Sequence, residues 1–132
     1  LTLKARGLER IHTLTPIMRL LADGRRHARD HLDALEAQLA ATRGPWILGD
    51  AFTLADVSWL VIFERLRQVD AEHVFLGGGR RPECTAYWER LRTRPSYAQA
   101  ILGYPHPLIA HGTRRLQQVK AADPELRTAL EG

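Results

Sequence analysis

The chain has 132 residues, 45% of them hydrophobic and 26% charged, proportions that fit one globular domain (1–132) and exclude a disordered or fibrous polypeptide. The formal net charge is +4, but Arg25/Arg26, Arg80/Arg81, Arg90/Arg92/Arg94 and Arg114/Arg115 lie on different predicted elements among Asp and Glu, without interleaved aromatics, which argues for a solvated surface and against a nucleic-acid patch. The lone cysteine, Cys84, excludes an internal disulfide and fits a reducing cytoplasm, and no signal-like or membrane-spanning run occurs.

Ile11, Leu14, Met18 and Leu21 recur at three- and four-residue steps, which predicts a helix from Leu3 to about Leu21 with one buried stripe, kinked at Pro16 and ended by Asp23-Gly24. Beside that stripe runs a mixed face carrying Leu8, His12, Thr15, Pro16 and Arg19, the first place to look for a ligand. Ala28, Leu32, Leu35 and Leu39 predict a second amphipathic helix from about Arg25 to Ala41, stopped by Gly44-Pro45.

The stretch from Gly49 to Gln68 is the most informative. Thr53 precedes Asp56 by three residues ahead of an apolar run, the spacing of a capping box, with Phe52 and Val57 placed as its hydrophobic staple. From Val57 to Phe63 only Ser58 is polar, so this helix, Thr53 to about Val69, is expected to be buried on every side. Val69 to Arg81 reads as a loop with Gly77-Gly78-Gly79 at its tip. No Lys-Ser/Thr follows those glycines, so they are a turn and not a phosphate loop.

Pro82 suits the first turn of another helix, with Cys84, Tyr87, Trp88 and Leu91 as its core stripe through about Thr93. Pro95 bends the chain into a further turn or two. Pro105 and Pro107 precede a helical region from about Leu108 to Ala122, and Asp123-Pro124-Glu125 has the form of a cap opening a terminal helix that frays. No segment alternates as a strand. The fold class expected is all-α, a bundle of about five to seven helices around the central capped one.

Little of the sequence suggests catalysis. His27 and His31 have the spacing of two imidazoles on one helix face, but Ala28 stands where a zinc-protease pattern needs Glu, so surface histidines are the better reading and no metal site is expected. Cys84 lies in a core stripe and is expected to be a buried small hydrophobe, not a nucleophile. Asp50 and Asp56 have loop and cap duties.

Gly49-Asp50-x-Phe52-Thr53-Leu54-Ala55-Asp56-Val57 resembles the G-D-x-F-[ST]-x-A-D motif of the C-terminal domain of glutathione transferases. Tyr87-Trp88-Glu89-Arg90-Leu91 followed by Arg94-Pro95-Ser96-Tyr97 is similar to that domain's next helix and the break after it. The resemblance covers most of the chain and weakens after about Leu102. It implies an all-helical half-enzyme whose partner, an N-terminal thioredoxin-like domain, binds glutathione and supplies the activating residue. No such domain is read in these 132 residues. It also implies glutathione as co-substrate, a small apolar electrophile as second substrate and a homodimer for the full protein, while the scattered arginines and the lack of a spanning run predict no nucleic-acid or membrane partner.

Ile11-His12-Thr13-Leu14-Thr15-Pro16 resembles the stretch of the family's first C-domain helix that faces the interdomain cleft in some bacterial members. This makes His12, Thr13 and Pro16 candidate substrate-binding residues and Leu8 a candidate wall, with the alternative that His12 merely flanks the core. Two functional readings stand: the substrate-binding and dimerisation half of a glutathione transferase-like enzyme, inactive alone, or a non-catalytic interaction module of the same fold. The start at Leu1, without Met and inside a predicted helix, favours a piece of a longer enzyme.

Overall fold

The computed structural model describes the backbone of residues 11–132 and the side chains of residues 19–132. Its helices are α1 (Ile11–Ala41), α2 (Leu54–Gln68), α3 (Glu72–Leu76), α4 (Pro82–Arg92), α5 (Pro95–Tyr97), α6 (Pro107–Ala122) and α7 (Pro124–Glu131). No strand occurs among the described residues, so the expected all-α class holds.

Helix α1 corrects the expectation of two helices, because it continues for 31 residues through Pro16 and Asp23-Gly24. A glycine stops a helix when it adopts the left-handed conformation, and Gly24 is not among the positive-φ glycines. Contacts divide the chain into two units inside α1, between His31 and Leu32. In the first, Leu20 and Leu21 are exposed, so the stripe expected to bury Leu21 does not do so there. Arg26 donates to Asp23 across one turn at 2.9 Å.

In the second unit Leu32, Leu35 and Leu39 are buried as their spacing predicts. The core there is aromatic. Phe63 of α2 stacks on Trp88 of α4 at 5.4 Å and meets the edge of Tyr87 at 6.2 Å, and Trp88 meets Tyr97 edge-on at 5.9 Å. Such arrangements add about 0.5–1.5 kcal/mol per pair beyond area burial.

Helix α2 begins as expected, with Thr53 as its N-cap residue. The short bonds at this end converge on Asp56: its carboxylate accepts from the Thr53 backbone N–H at 2.8 Å and from the Thr53 hydroxyl at 3.1 Å. The same carboxylate accepts from the Ile47 N–H at 3.1 Å and the Tyr87 hydroxyl at 2.7 Å. Ile47 is presented by a tight reversal in which Trp46 and Gly49 exchange backbone hydrogen bonds of 3.0 and 3.1 Å. Gly44 makes this possible. Its φ is +126°, and a Cβ there would stand 2.6 Å from the carbonyl carbon of Gly49. Phe52, placed for a staple, sits edge-on to Trp46 at 5.0 Å with the Arg94 guanidinium 3.6 Å over its ring.

The expectation that α2 is buried on every side is overturned. Leu54 is 82% exposed, and Val57, Val61 and Ile62 are also exposed. Conversely Glu64, read as the start of the charged end, is buried. It accepts from Arg67 at 2.6 and 3.0 Å, from Gln68 at 3.0 Å and from the Tyr97 hydroxyl at 2.8 Å. An apolar composition on all faces had suggested all-round burial, but α2 spends a buried face on two carboxylates eight residues apart and leaves aliphatic side chains in solvent.

Further along, the expected loop between α2 and α4 contains α3 and a 3₁₀ turn at Gly77–Gly79. Gly78 and Gly79 have positive φ, as a turn requires. Pro82 opens α4, whose first free N–H groups, on Glu83 and Cys84, donate to the Glu36 carboxylate of α1 at 3.0 and 2.7 Å. Arg81 is buried and reaches Asp33 at 2.7 Å and the Phe75 carbonyl. Asp123 caps α7 by accepting from the N–H groups of Glu125 and Leu126 at 3.1 and 3.0 Å. That terminal helix is tied down rather than frayed, since Glu131 accepts from Lys120 at 2.7 Å and from Arg127 at 3.0 Å. The Lys120 ammonium, opposed by partial burial, holds the Glu131 carboxyl down at about 2.

Burial pushes both core carboxyls up, yet Asp56 is held below the usual carboxylate range by Thr53, Tyr87 and Ile47, and Glu64 by Arg67 and Tyr97. A depressed folded value contributes stability that is full above the unfolded carboxyl range, near pH ~4, and is lost as pH falls through the folded value. Thermal melts should therefore be flat from pH 7 to about 5 and drop steeply below about 4. Tyr87→Phe should cost about 1.5–3 kcal/mol at pH 7 by removing a charge-assisted bond, and its penalty relative to the parent should shrink at acid pH. A pH-independent penalty would show that the Asp56–Tyr87 bond does not contribute as described.

Candidate functional site

Two tyrosines of the second unit are occupied by buried carboxylates. The Tyr87 hydroxyl donates to Asp56, and burial followed by that carboxylate pushes it well above the usual phenol range. Tyr97 is raised in the same way by burial and Glu64. A tyrosine serves a thiolate or an oxyanion by offering its hydroxyl hydrogen, and these two have already placed theirs on carboxylates.

Cys84 is fully buried as expected, and its thiol faces the Leu32 carbonyl at 3.6 Å. Burial, reinforced by the Glu36 carboxylate, pushes it far above the usual thiol range. This is the opposite of the electropositive, accessible setting that activates a cysteine. His27 and His31 are exposed on α1, and no group of three metal-ligating side chains occurs among the described residues.

Of the candidate substrate-binding residues, Leu8 lies outside the described residues. His12, Thr13 and Pro16 fall in the first two turns of α1, and the four-residue step from His12 to Pro16 puts those positions on one side of the helix. Their side chains lie outside the described residues.

The structure adds a surface that the sequence reading missed. Leu54, Val57 and Val61 follow one another at three- and four-residue steps along the outward side of α2, with Ile62 beside them, and the last three are 41%, 47% and 44% exposed. Exposed aliphatics grouped on one helix face mark an interaction surface more often than chance. The signal was present in the sequence as the excess of apolar residues on the polar side of an amphipathic helix. It was masked because continuous apolarity is also what a fully buried helix shows.

The chain from residue 19 to 105 matches the glutathione S-transferase C-terminal domain family. It is 40% identical over 74 residues to the 2,5-dichlorohydroquinone reductive dechlorinase of Sphingobium indicum, covering 55% of this chain and 21% of that protein. It is 32% identical over 83 residues to the glutathione S-transferase TCHQD of Arabidopsis thaliana, covering 60% of this chain and 30% of the relative. The chain thus spans well under half the length of these curated relatives. No solved structure gives a significant match. No described helix is long and apolar enough to cross a membrane.

The environment of Cys84 makes its reactivity a measure of the fold. At pH 8 a thiol-specific chromogenic disulfide should leave Cys84 unmodified for as long as the chain is folded and should modify it completely in denaturant. Rapid stoichiometric modification of the native chain would contradict its burial.

Proposed function

The chain belongs to the glutathione S-transferase C-terminal domain family, and from that premise we propose that it is the helical, substrate-binding and dimerising half of a glutathione transferase-like enzyme. In this reading glutathione is bound and activated by a thioredoxin-like domain N-terminal to the helices. The helical half supplies the wall against which an apolar electrophile is held, with Leu8, His12, Thr13 and Pro16 as the wall residues. The name of the Sphingobium relative supports a chlorinated aromatic as the electrophile class. The full protein works as a homodimer in the cytoplasm.

The observation that carries the reading is the outward stripe Leu54, Val57, Val61 and Ile62 on α2. An apolar face of this kind is costly in water at about 25 cal/mol per Å², and relatives several times longer than the matched segment carry further chain that could cover it. We assign the stripe to the thioredoxin-like domain. The chain alone then lacks catalysis for a chemical reason. Lowering the thiol pKa of glutathione needs a free hydroxyl or thiol donor held near the sulfur, whereas Tyr87 and Tyr97 are committed to Asp56 and Glu64, Cys84 is sealed in the core, and Tyr104, whose hydroxyl is uncommitted, stands 80% exposed to solvent.

The purified chain, given glutathione and 1-chloro-2,4-dinitrobenzene, should form conjugate no faster than the uncatalysed reaction. Fusing it to the thioredoxin-like domain of a relative should restore turnover. Val61→Asp should abolish that turnover while leaving the melt of the isolated chain within about 0.5 kcal/mol of the parent, as surface changes do. Conjugation by the chain alone would overturn the division of labour. Full turnover by the Val61→Asp fusion would remove the stripe from the domain interface, and a fusion that folds but stays inactive would favour the interaction-module reading.

A further inference from the structure

A cavity of about 350 Å³ opens where the C-terminal end of α2 meets the segment from Ile101 to Arg114. Its volume is at the small end of the range for sites that hold organic molecules. One side is apolar, formed by Ile101, Leu102, Pro105 and Ile109. That side carries aliphatic surface into solvent, with Leu102 60% and Ile109 37% exposed. The other side is polar, and counting its hydrogen-bonding capacity decides what could bind.

Its carboxylate, the one anionic group in the lining, is used. Both oxygens of Glu64 are filled, Oε1 by Arg67 and Gln68 and Oε2 by Arg67 and Tyr97. The Gln68 side-chain oxygen accepts from Arg65 at 2.7 Å. The Thr113 hydroxyl has its one hydrogen engaged by backbone carbonyls, lying 2.6 Å from that of Gln68 and 3.0 Å from that of Ile109, so it offers a ligand no donor.

What remains is donors. Arg114 lines the cavity and has no side-chain partner among the described residues. His106 accepts the Leu108 N–H on Nδ1 at 3.3 Å, which requires a lone pair on that nitrogen and so places the ring hydrogen on Nε2. Tyr104 is 80% exposed at the mouth, with its hydroxyl uncommitted among the described residues. The charge count agrees, because Glu64 and Arg67 cancel and Arg114 leaves the cavity one positive charge.

We propose that this cavity is a binding site for a small amphipathic anion, an aryl or alkyl carboxylate whose apolar body lies on Ile101, Leu102 and Ile109 and whose carboxylate meets the Arg114 guanidinium, with the His106 Nε2–H as a second donor. Arginine suits a planar carboxylate because its fork gives paired, directional bonds. None of Leu54, Val57 and Val61 of α2 lines the cavity, and its existence does not depend on the transferase reading.

The test is calorimetric titration of the chain with naphthalene-2-carboxylate, paired with amide-resolved NMR. Saturable binding should shift amides between Ile101 and Arg114. Naphthalene-2-carboxamide, of the same shape without the charge, should bind at least tenfold more weakly, and Arg114→Gln should weaken the carboxylate to the same degree with an unchanged melting curve. Absence of saturable binding would overturn the proposal, as would equal binding of the amide or shifts confined to the α2 stripe around Val57 and Val61. Undiminished binding to Arg114→Gln would overturn the assignment of that side chain.

Discussion

A carboxylate removed from water survives only if protein donors replace its hydration, and in this chain Asp56 sets that condition for everything around it. Its donors come from three places: the connector at Ile47, its own helix start at Thr53, and α4 at Tyr87. The connector must therefore reverse tightly enough to aim the Ile47 N–H inward, and α4 must lie in the register that brings the Tyr87 hydroxyl to 2.7 Å. Phe63 and Trp88 can stack because that register is fixed. Hydrophobic burial supplies most of the driving force, but it is tolerant of sliding; the filled carboxylate is not.

The same device recurs at lower stakes. Glu64 repeats it with Tyr97, holding α5 to the second buried turn of α2. Glu36 reaches from α1 to terminate the exposed N–H groups of α4, and Arg81 joins α1 to the carbonyl end of α3. Each joins elements distant in sequence through a group that cannot be left alone. Tyr87, Tyr97 and Cys84 belong to this scaffolding. Among the described residues, the outward stripe of α2 and the donor-lined cavity beside α6 stand apart from that scaffolding.

Local signals were legible where one residue's requirement fixes one outcome. Thr53 with Asp56, Pro82, Asp123-Pro124 and the Leu32/Leu35/Leu39 spacing each placed a helix end or face correctly, because caps, first-turn prolines and stripes act within a few residues. Gly24 misled because a glycine in helix is only mildly unfavourable, so thirty-one residues of cooperative hydrogen bonding override it. Glu64 misled because its partners include Tyr97, thirty-three positions away, and the cap on α4 was invisible for the same reason, Glu36 lying forty-seven residues before Glu83. The candidate site divides likewise. The motif around Asp56 identified the family through a helix start and a buried carboxylate, and the exposed face of α2 could not be told from a buried one by composition alone.

Gly44 has a consequence that reaches beyond this chain. A side chain there would strike the backbone of Gly49 and open the reversal that carries Ile47 to Asp56. Any lineage that keeps the buried aspartate fed by this reversal is thus constrained to keep the glycine. Invariance at either position would record an ancestral solution to chain geometry, and divergence in catalytic specificity could proceed for long periods around both without moving them.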